Sequence, residues 1–196
     1  MKNAIILHGA PEKENYYSHD LPSESNAHWL PWLQKELMIR DIKADTPEIP
    51  HAYEPQWELW CREVERYDIT PETILVGHSF GAGFWLRYLS EHADLHVGRV
   101  VLVGPWLDPD RTLREHVFAA EFDPELDERT RGLTIFYSDD DSGNVLTSLD
   151  RIRREVPGAD WKEFKGYGHF TYDNLLAVRS TSGGTSFPEL LEECLL

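Results

Sequence analysis

Cysteine is scarce in this chain. The two that occur, Cys61 and Cys194, lie far apart and outside any C-x-x-C pattern, which argues against a disulfide framework or a zinc cluster. Positive charge is scarce too: 19 Lys and Arg stand against 35 Asp and Glu, a formal net charge of −16. Such a surface repels nucleic-acid backbones and anionic membranes, so neither is expected as a partner. Long apolar runs are missing. The apolar start, Met1 to His8, is far too short for a signal peptide or a membrane span and reads as a first strand, with a cytoplasmic location as the expectation. No internal repeat or low-complexity segment is visible. The 196 residues suffice for one domain, residues 1–196, with a substantial core.

What is present is an alternation of strands and helices. Asn3 to Leu7 suits a buried parallel strand and ends in His8-Gly9-Ala10-Pro11. Ser25 and Asn26 are helix-start residues before Trp29, Trp32, Leu33 and Leu37 at helical spacing, with Pro31 near the first turn. Asp41 to Ala44 is a weak second strand. Pro55 opens a helix buried along Trp57, Trp60, Cys61 and Val64. Thr73 to Val76 is a third strand, and a helix follows from Phe80 to Ser90. Val97 to Val103 is a fourth strand, with a short helix expected beyond it from Asp110 to Ala120. Leu133 to Tyr137, a helix around Leu146 to Val156, and Asp160 to Phe164 complete the alternation. Helical pieces near Asn174 to Val178 and Pro188 to Cys194 flank a flexible stretch, Ser180 to Ser186, rich in Gly and Ser. This pattern specifies an α/β fold with a six-stranded parallel sheet covered on both faces. Right-handed crossovers and short connections favour the strand order 2-1-3-4-5-6. Strands 1 and 3 then meet at a switch point, and a crevice opens at the strands' carboxyl ends.

The third strand runs into Gly77-His78-Ser79-Phe80-Gly81, a G-x-S-x-G pentapeptide between strand and helix. In that setting the pattern makes a turn so tight that its apex residue is strained, with its hydroxyl held clear at a helix N-terminus. Side chains two before and two after would collide, which explains Gly77 and Gly81. A plain Gly-rich turn is the bland alternative, and the strand and helix on either side argue against it. A phosphate loop is excluded, because no Lys-Ser/Thr pair follows and the G-x-G-x-x-G spacing is absent.

A serine hydroxyl needs a base to take its proton, and the base needs a carboxylate to orient it. Nine histidines compete for the role. His78 sits inside the turn and diverges from Ser79. His92 and His96, spaced i, i+4, lack an evident third ligand and read as solvated helix-end residues, so no metal is expected. His19, His28, His51 and His116 stand in polar stretches and read as surface groups. His169 follows the last strand and two glycines at the correct sheet edge, and is the candidate base. Asp139, Asp140 and Asp141 all follow the fifth strand, and at most one of them orients the base. Asp141 is preferred and Asp140 is the alternative triad acid. A tetrahedral intermediate needs two N–H donors. Phe80 supplies one, and Ala10, just before a proline that has no N–H, supplies the other. Gly9 is both the turn that ends the first strand and a wall of the site. Trp106, at the end of the fourth strand, lines a substrate pocket or belongs to the core. The stretch from Gly104 to Arg131 is too short for a large lid, so an open site for small or flexible acyl substrates is expected.

Several of these stretches together resemble a known group. They are Gly-His-Ser-Phe-Gly, the first strand running directly into a Gly turn, Trp29-Leu30-Pro31-Trp32 before Lys35-Glu36-Leu37, Val101-Leu102-Val103, Ser138-Asp139-Asp140-Asp141 and Gly168-His169-Phe170. The group is the small α/β serine hydrolases related to retinoblastoma-binding protein nine. The resemblance covers Asn3 to Phe170. It implies a compact α/β-hydrolase fold without a cap domain, with Ser79 as nucleophile, His169 as base and, best aligned, Asp141 as orienting acid. The third acid and the Ser142-Gly143-Asn144 that follows depart from the group's pattern. The expectation is a cofactor-free serine hydrolase acting on a carboxylic ester, thioester or activated amide. A protein-binding module on the same fold and an acyltransferase using the same triad are the alternatives.

Overall fold

Successive residues of a strand face opposite ways, and in the central strands of this chain both directions are apolar. The computed structural model describes residues 2–178 and 185–196. Its strands are β1 (Asn3–Leu7), β2 (Lys43–Asp45), β3 (Ile74–His78), β4 (Val100–Val103), β5 (Leu133–Ser138) and β6 (Asp160–Phe164). They form one parallel sheet in the order β2-β1-β3-β4-β5-β6. Ile5, Leu7, Leu75, Val100, Leu102, Leu133 and Ile135 face one core, and Ala4, Ile6, Ile74, Val76, Val101, Val103 and Phe136 face the other.

The helices divide between these cores by their apolar spacing. Among them are α1 (Lys13–Tyr16), which buries nothing, and α2 (Leu30–Met38), which lays Leu30, Leu33 and Leu37 on the second core. The first core takes α3 (Trp57–Val64), α4 (Phe80–Glu91) and α5 (Gly143–Glu155), through residues such as Trp60, Phe84 and Leu149. The second is completed by α6 (Tyr172–Val178) and α7 (Pro188–Cys194). The buried Glu193 carboxylate ties α7 to the sheet, taking hydrogen bonds from Thr134 in β5 and from Arg99 just before β4, with Lys162 in β6 beside it. No helix among the described residues is long and apolar enough to cross a membrane.

Four sequence expectations need correction. The helix expected from Asp110 to Ala120 is absent, and that stretch is a series of turns. Ser25 and Asn26 form a 3-10 turn, Glu24–Asn26, rather than starting α2, which begins at Leu30 behind Trp29. Val97 makes only an isolated bridge to Thr130, so β4 starts at Val100. His28 is not a surface group but packs edge-on against His78, with ring centroids 5.5 Å apart. Of the Gly- and Ser-rich stretch read at Ser180 to Ser186, residues 180–184 lie outside the described residues.

Candidate active site

Ser79 stands between β3 and α4 with φ 55° and ψ −117°, a backbone conformation that L-residues rarely adopt. Its peptide is held on both sides. The Ser79 N–H donates to the Val103 carbonyl at 2.9 Å, and the Ser79 carbonyl accepts from Trp106 N–H at 3.1 Å and from Ala82 and Gly83 in α4. The two glycines of the pentapeptide are required by close approach. A Cβ on Gly77 would lie 2.5 Å from the Gly81 carbonyl oxygen. One on Gly81 would run into the His8 carbonyl oxygen and sit 2.9 Å from Leu7 Cβ. Gly81→Ala is therefore expected to cost about 2–3 kcal/mol through overpacking. That corresponds to a fall in Tm of about 5–10 °C in a thermal melt.

The loop after β1 passes directly over the serine. A Cβ on Gly9 would lie 3.0 Å from Ser79 Cβ and 3.5 Å from its Oγ. Next in the chain is Ala10, half-buried, whose N–H has no hydrogen-bond partner among the described residues. The N–H of Phe80, in the first turn of α4, has no intrahelical acceptor. The Phe80 side chain is buried between Trp60 and Phe118, with ring centroids 4.6 and 5.3 Å away. Trp106 is half-buried, its ring 6.5 Å from that of Phe80.

On the neighbouring rim, His169 and Asp141 are brought together across 28 positions of sequence. His169 Nδ1 lies 2.9 Å from Asp141 Oδ2 and 3.1 Å from Oδ1. Asp141 is 7% exposed, and its Oδ1 also accepts the Ser142 N–H at 2.6 Å. Gly104, at φ 51°, forms the floor beneath the pair: a Cβ there would come within 3.2 Å of His169 Nδ1 and 3.4 Å of Asp141 Oδ2. Val103, which binds the Ser79 N–H, immediately precedes Gly104, so the serine turn and the His–Asp pair share one strand end. Asp140 does not reach the imidazole; its Oδ1 takes the Ser138 hydroxyl at 2.6 Å and the Gly168 N–H at 2.8 Å. A cavity of about 470 Å³ lies elsewhere, along Leu107, Asp108, Phe118 and Arg151, and none of Ser79, Asp141 or His169 lines it.

Three further histidines surround the site and are held neutral by burial. His8 accepts the Ile49 N–H on Nε2 at 3.0 Å, so its Nδ1 carries the proton and donates to the Gly9 carbonyl at 2.7 Å. His78 donates from Nε2 to the His169 carbonyl at 2.8 Å, and the two rings are 4.9 Å apart. His28 accepts the Tyr172 N–H on Nδ1 at 3.1 Å. Burial lowers His8 and lowers His78 well below the ordinary imidazole value, and burial with the nearby His169 lowers His28 to about 4. Of these contacts the sequence reading anticipated none. Their partners lie up to 144 positions away, and nothing local to His28 or His78 signals them.

The buried His28 contributes an acid-sensitive part to the stability. Below pH 6.5 the unfolded chain binds a proton at His28 that the folded chain refuses until about pH 4. The His28 contribution to stability therefore falls as pH drops through that window, by about 1.4 kcal/mol per pH unit. Glu24, pushed up to about 7 by burial and by Glu48, works in the opposite direction. The clean measurement is thus the difference between wild type and His28→Gln in urea unfolding at pH 7 and pH 5. The wild type is expected to lose about 2 kcal/mol more than the variant over that step.

The His92 ring stacks on Tyr88 at 4.1 Å with Nδ1 2.7 Å from the Tyr88 carbonyl, and among the described residues no group of three or more His, Cys, Asp or Glu is placed to hold a metal ion.

Known proteins resemble this chain in sequence or in architecture. Residues 19–176 match the family model described as serine hydrolase. The protein YdeN of Bacillus subtilis (strain 168) is 29% identical over 168 residues, covering 82% of this chain and 87% of YdeN. The crystal structure of the ydeN gene product matches with a TM-score of 0.77 at 25% identity, covering 98% of this chain and 96% of that one. A YdeN-like hydrolase of Pectobacterium atrosepticum matches with a TM-score of 0.61 at 15% identity, covering 99% and 91%, a likeness of fold.

Proposed function

The chain belongs to the serine hydrolase family, and from that premise we propose that it hydrolyses a carboxylic ester, thioester or activated amide through a triad of Ser79, His169 and Asp141. The observation that carries this reading is the buried Asp141 carboxylate on His169 Nδ1, on the rim it shares with the strained Ser79 turn. A carboxylate only accepts, so Nδ1 carries the imidazole proton and Nε2 is left with a free lone pair.

The roles follow from that tautomer. Nε2 takes the Ser79 hydroxyl proton as Oγ attacks the substrate carbonyl. The charge that develops on the carbonyl oxygen is received by the Ala10 and Phe80 N–H groups, each worth about 3 kcal/mol in the transition state. His169 then returns the proton to the leaving oxygen, sulfur or nitrogen as its bond to the acyl carbon breaks. Water attacks the acyl-enzyme with the same assistance, which releases the acid and restores Ser79. Gly9 and Trp106 border the space where the acyl group lies. The resemblance to hydrolases related to retinoblastoma-binding protein nine belongs to this same reading.

A fluorophosphonate probe tests it. One phosphonyl group is expected on Ser79, located by tandem mass spectrometry of the peptide that carries it. Labelling elsewhere, or none on folded protein, overturns the assignment. Hydrolysis of aryl esters of increasing acyl length then defines the substrate class.

A further inference from the structure

The loop that carries His169 runs from the end of β6 to the start of α6. It includes a turn bond, Phe170 N–H to the Tyr167 carbonyl, and two glycines with positive φ, Gly166 at 75° and Gly168 at 48°. Yet its peptides from 166 to 169 are all bound by side chains from other parts of the fold. Gly166 N–H donates to Asp139 Oδ1 at 2.9 Å, Tyr167 N–H to Ser138 Oγ at 2.9 Å and Gly168 N–H to Asp140 Oδ1 at 2.8 Å. His169 N–H donates to Asn174 Oδ1 at 3.0 Å, and the His169 carbonyl accepts from His78 Nε2 at 2.8 Å.

Two of these partners stand out. Asp140 is exposed and pairs with no Lys, Arg or His side chain among the described residues, so its orientation rests on hydrogen bonds to neutral groups. One of its oxygens accepts both the Ser138 hydroxyl, at 2.6 Å, and the peptide N–H immediately before His169. That hydroxyl oxygen in turn accepts the Tyr167 N–H, so the bonds are chained from the end of β5 into the loop. His78 is buried and is the residue before Ser79. Through its bond to the His169 carbonyl, the serine turn holds the histidine's own peptide directly.

We propose that Asp140 and His78 are positioning residues that hold the backbone on either side of His169, Asp140 at the Gly168 N–H and His78 at the His169 carbonyl, and so fix the aim of its imidazole at Ser79. The proposal rests on the reading of Ser79, His169 and Asp141 as the triad. Asp140 acts through the Gly168 N–H and His78 through the His169 carbonyl. A displacement of about 1 Å at a reacting group costs on the order of 100-fold in rate, and an unclamped glycine loop permits that much.

The test separates positioning from folding and from the triad itself. Asp140→Ala loses both bonds, whereas Asp140→Asn keeps an oxygen that accepts them. Turnover of an activated aryl ester is measured per active site, titrated with the fluorophosphonate probe. The kcat of Asp140→Ala is expected to fall about 10- to 100-fold with KM within about twofold of wild type, and Asp140→Asn to stay within about threefold of wild type. His78→Gln, which retains a side-chain N–H donor, is expected to keep most of the kcat that His78→Phe loses. A merely structural role would lower Tm and leave kcat per titrated site unchanged. If Ser79 is labelled and Asp141→Asn is inactive while Asp140→Ala turns over at the wild-type rate, the clamp is overturned and the triad stands. Equal losses in the Ala and Asn variants also overturn it, because the charge and not the bonds would then matter. Absence of labelling in the wild type removes the triad reading, and the clamp with it.

Discussion

Ser79→Ala is expected to reduce turnover of an activated aryl ester by about 10⁴-fold or more and to abolish fluorophosphonate labelling, without lowering Tm. The fold should tolerate the change because the Ser79 hydroxyl has no hydrogen-bond partner among the described residues. The bonds that hold residue 79 are made by its backbone, to Val103, Trp106 and the first turn of α4. Alanine carries the same Cβ in the same strained conformation, so the strain is neither relieved nor increased. What disappears, on the proposed mechanism, is the oxygen whose proton the His169 imidazole takes. Residual activity reports the pieces that remain, namely oriented binding and the two N–H donors, which retain about 10³- to 10⁴-fold over water in such sites. A double variant with His169→Ala is expected to be barely worse than either single one, because nucleophile and base act as a unit. Undiminished labelling of the alanine variant would remove Ser79 from the mechanism.

Much of this arrangement is legible in the chain because it depends on local patterns. Asn3–Leu7, Asp160–Phe164 and Pro188–Cys194 have the bounds read from their composition. The serine turn announces itself through Gly77 and Gly81, whose missing side chains are dictated by backbone atoms within five residues or at the end of β1. Where reading fails, side chains compete with the backbone. The stretch after β4 has the composition of a short helix, but the Asp108 carboxylate takes the Thr112 N–H, the Thr112 hydroxyl and the Leu113 N–H, and Arg111 turns to φ 55°. Those local bonds offer the chain an alternative to the helical ladder. His28 fails for the opposite reason. Its neighbours, His78 and the start of α6, come from distant segments, and no periodicity encodes such a meeting. The acidic run lies between these cases. Three adjacent carboxylates usually mean a solvated loop, and which one faces the imidazole is set by how β5 ends and by where the Ser142 N–H points.

That last bond makes Asp141→Asn the second large expected effect, and it argues for a loss greater than that of a simple deletion. Asp141 Oδ1 is held by the Ser142 N–H at 2.6 Å, and an asparagine would place its carbonyl oxygen there, because only the oxygen can accept. The amide nitrogen then occupies the position of Oδ2, 2.9 Å from His169 Nδ1. An N–H donor at that point requires Nδ1 to accept, which moves the imidazole proton to Nε2. A protonated Nε2 in a neutral ring cannot take the Ser79 proton, so the variant holds its base in the wrong tautomer with the geometry intact. The expected loss in kcat is about 10⁴-fold, with little change in KM or Tm. Asp141→Ala leaves the imidazole free to choose its tautomer and is expected to lose no more than Asp141→Asn does. The same change one residue earlier, Asp140→Asn, preserves an acceptor where only an acceptor is needed. Two neighbouring aspartates given the same substitution should therefore differ by more than about 10³-fold in kcat, and near-equal rates would show that the imidazole takes its orientation from neither.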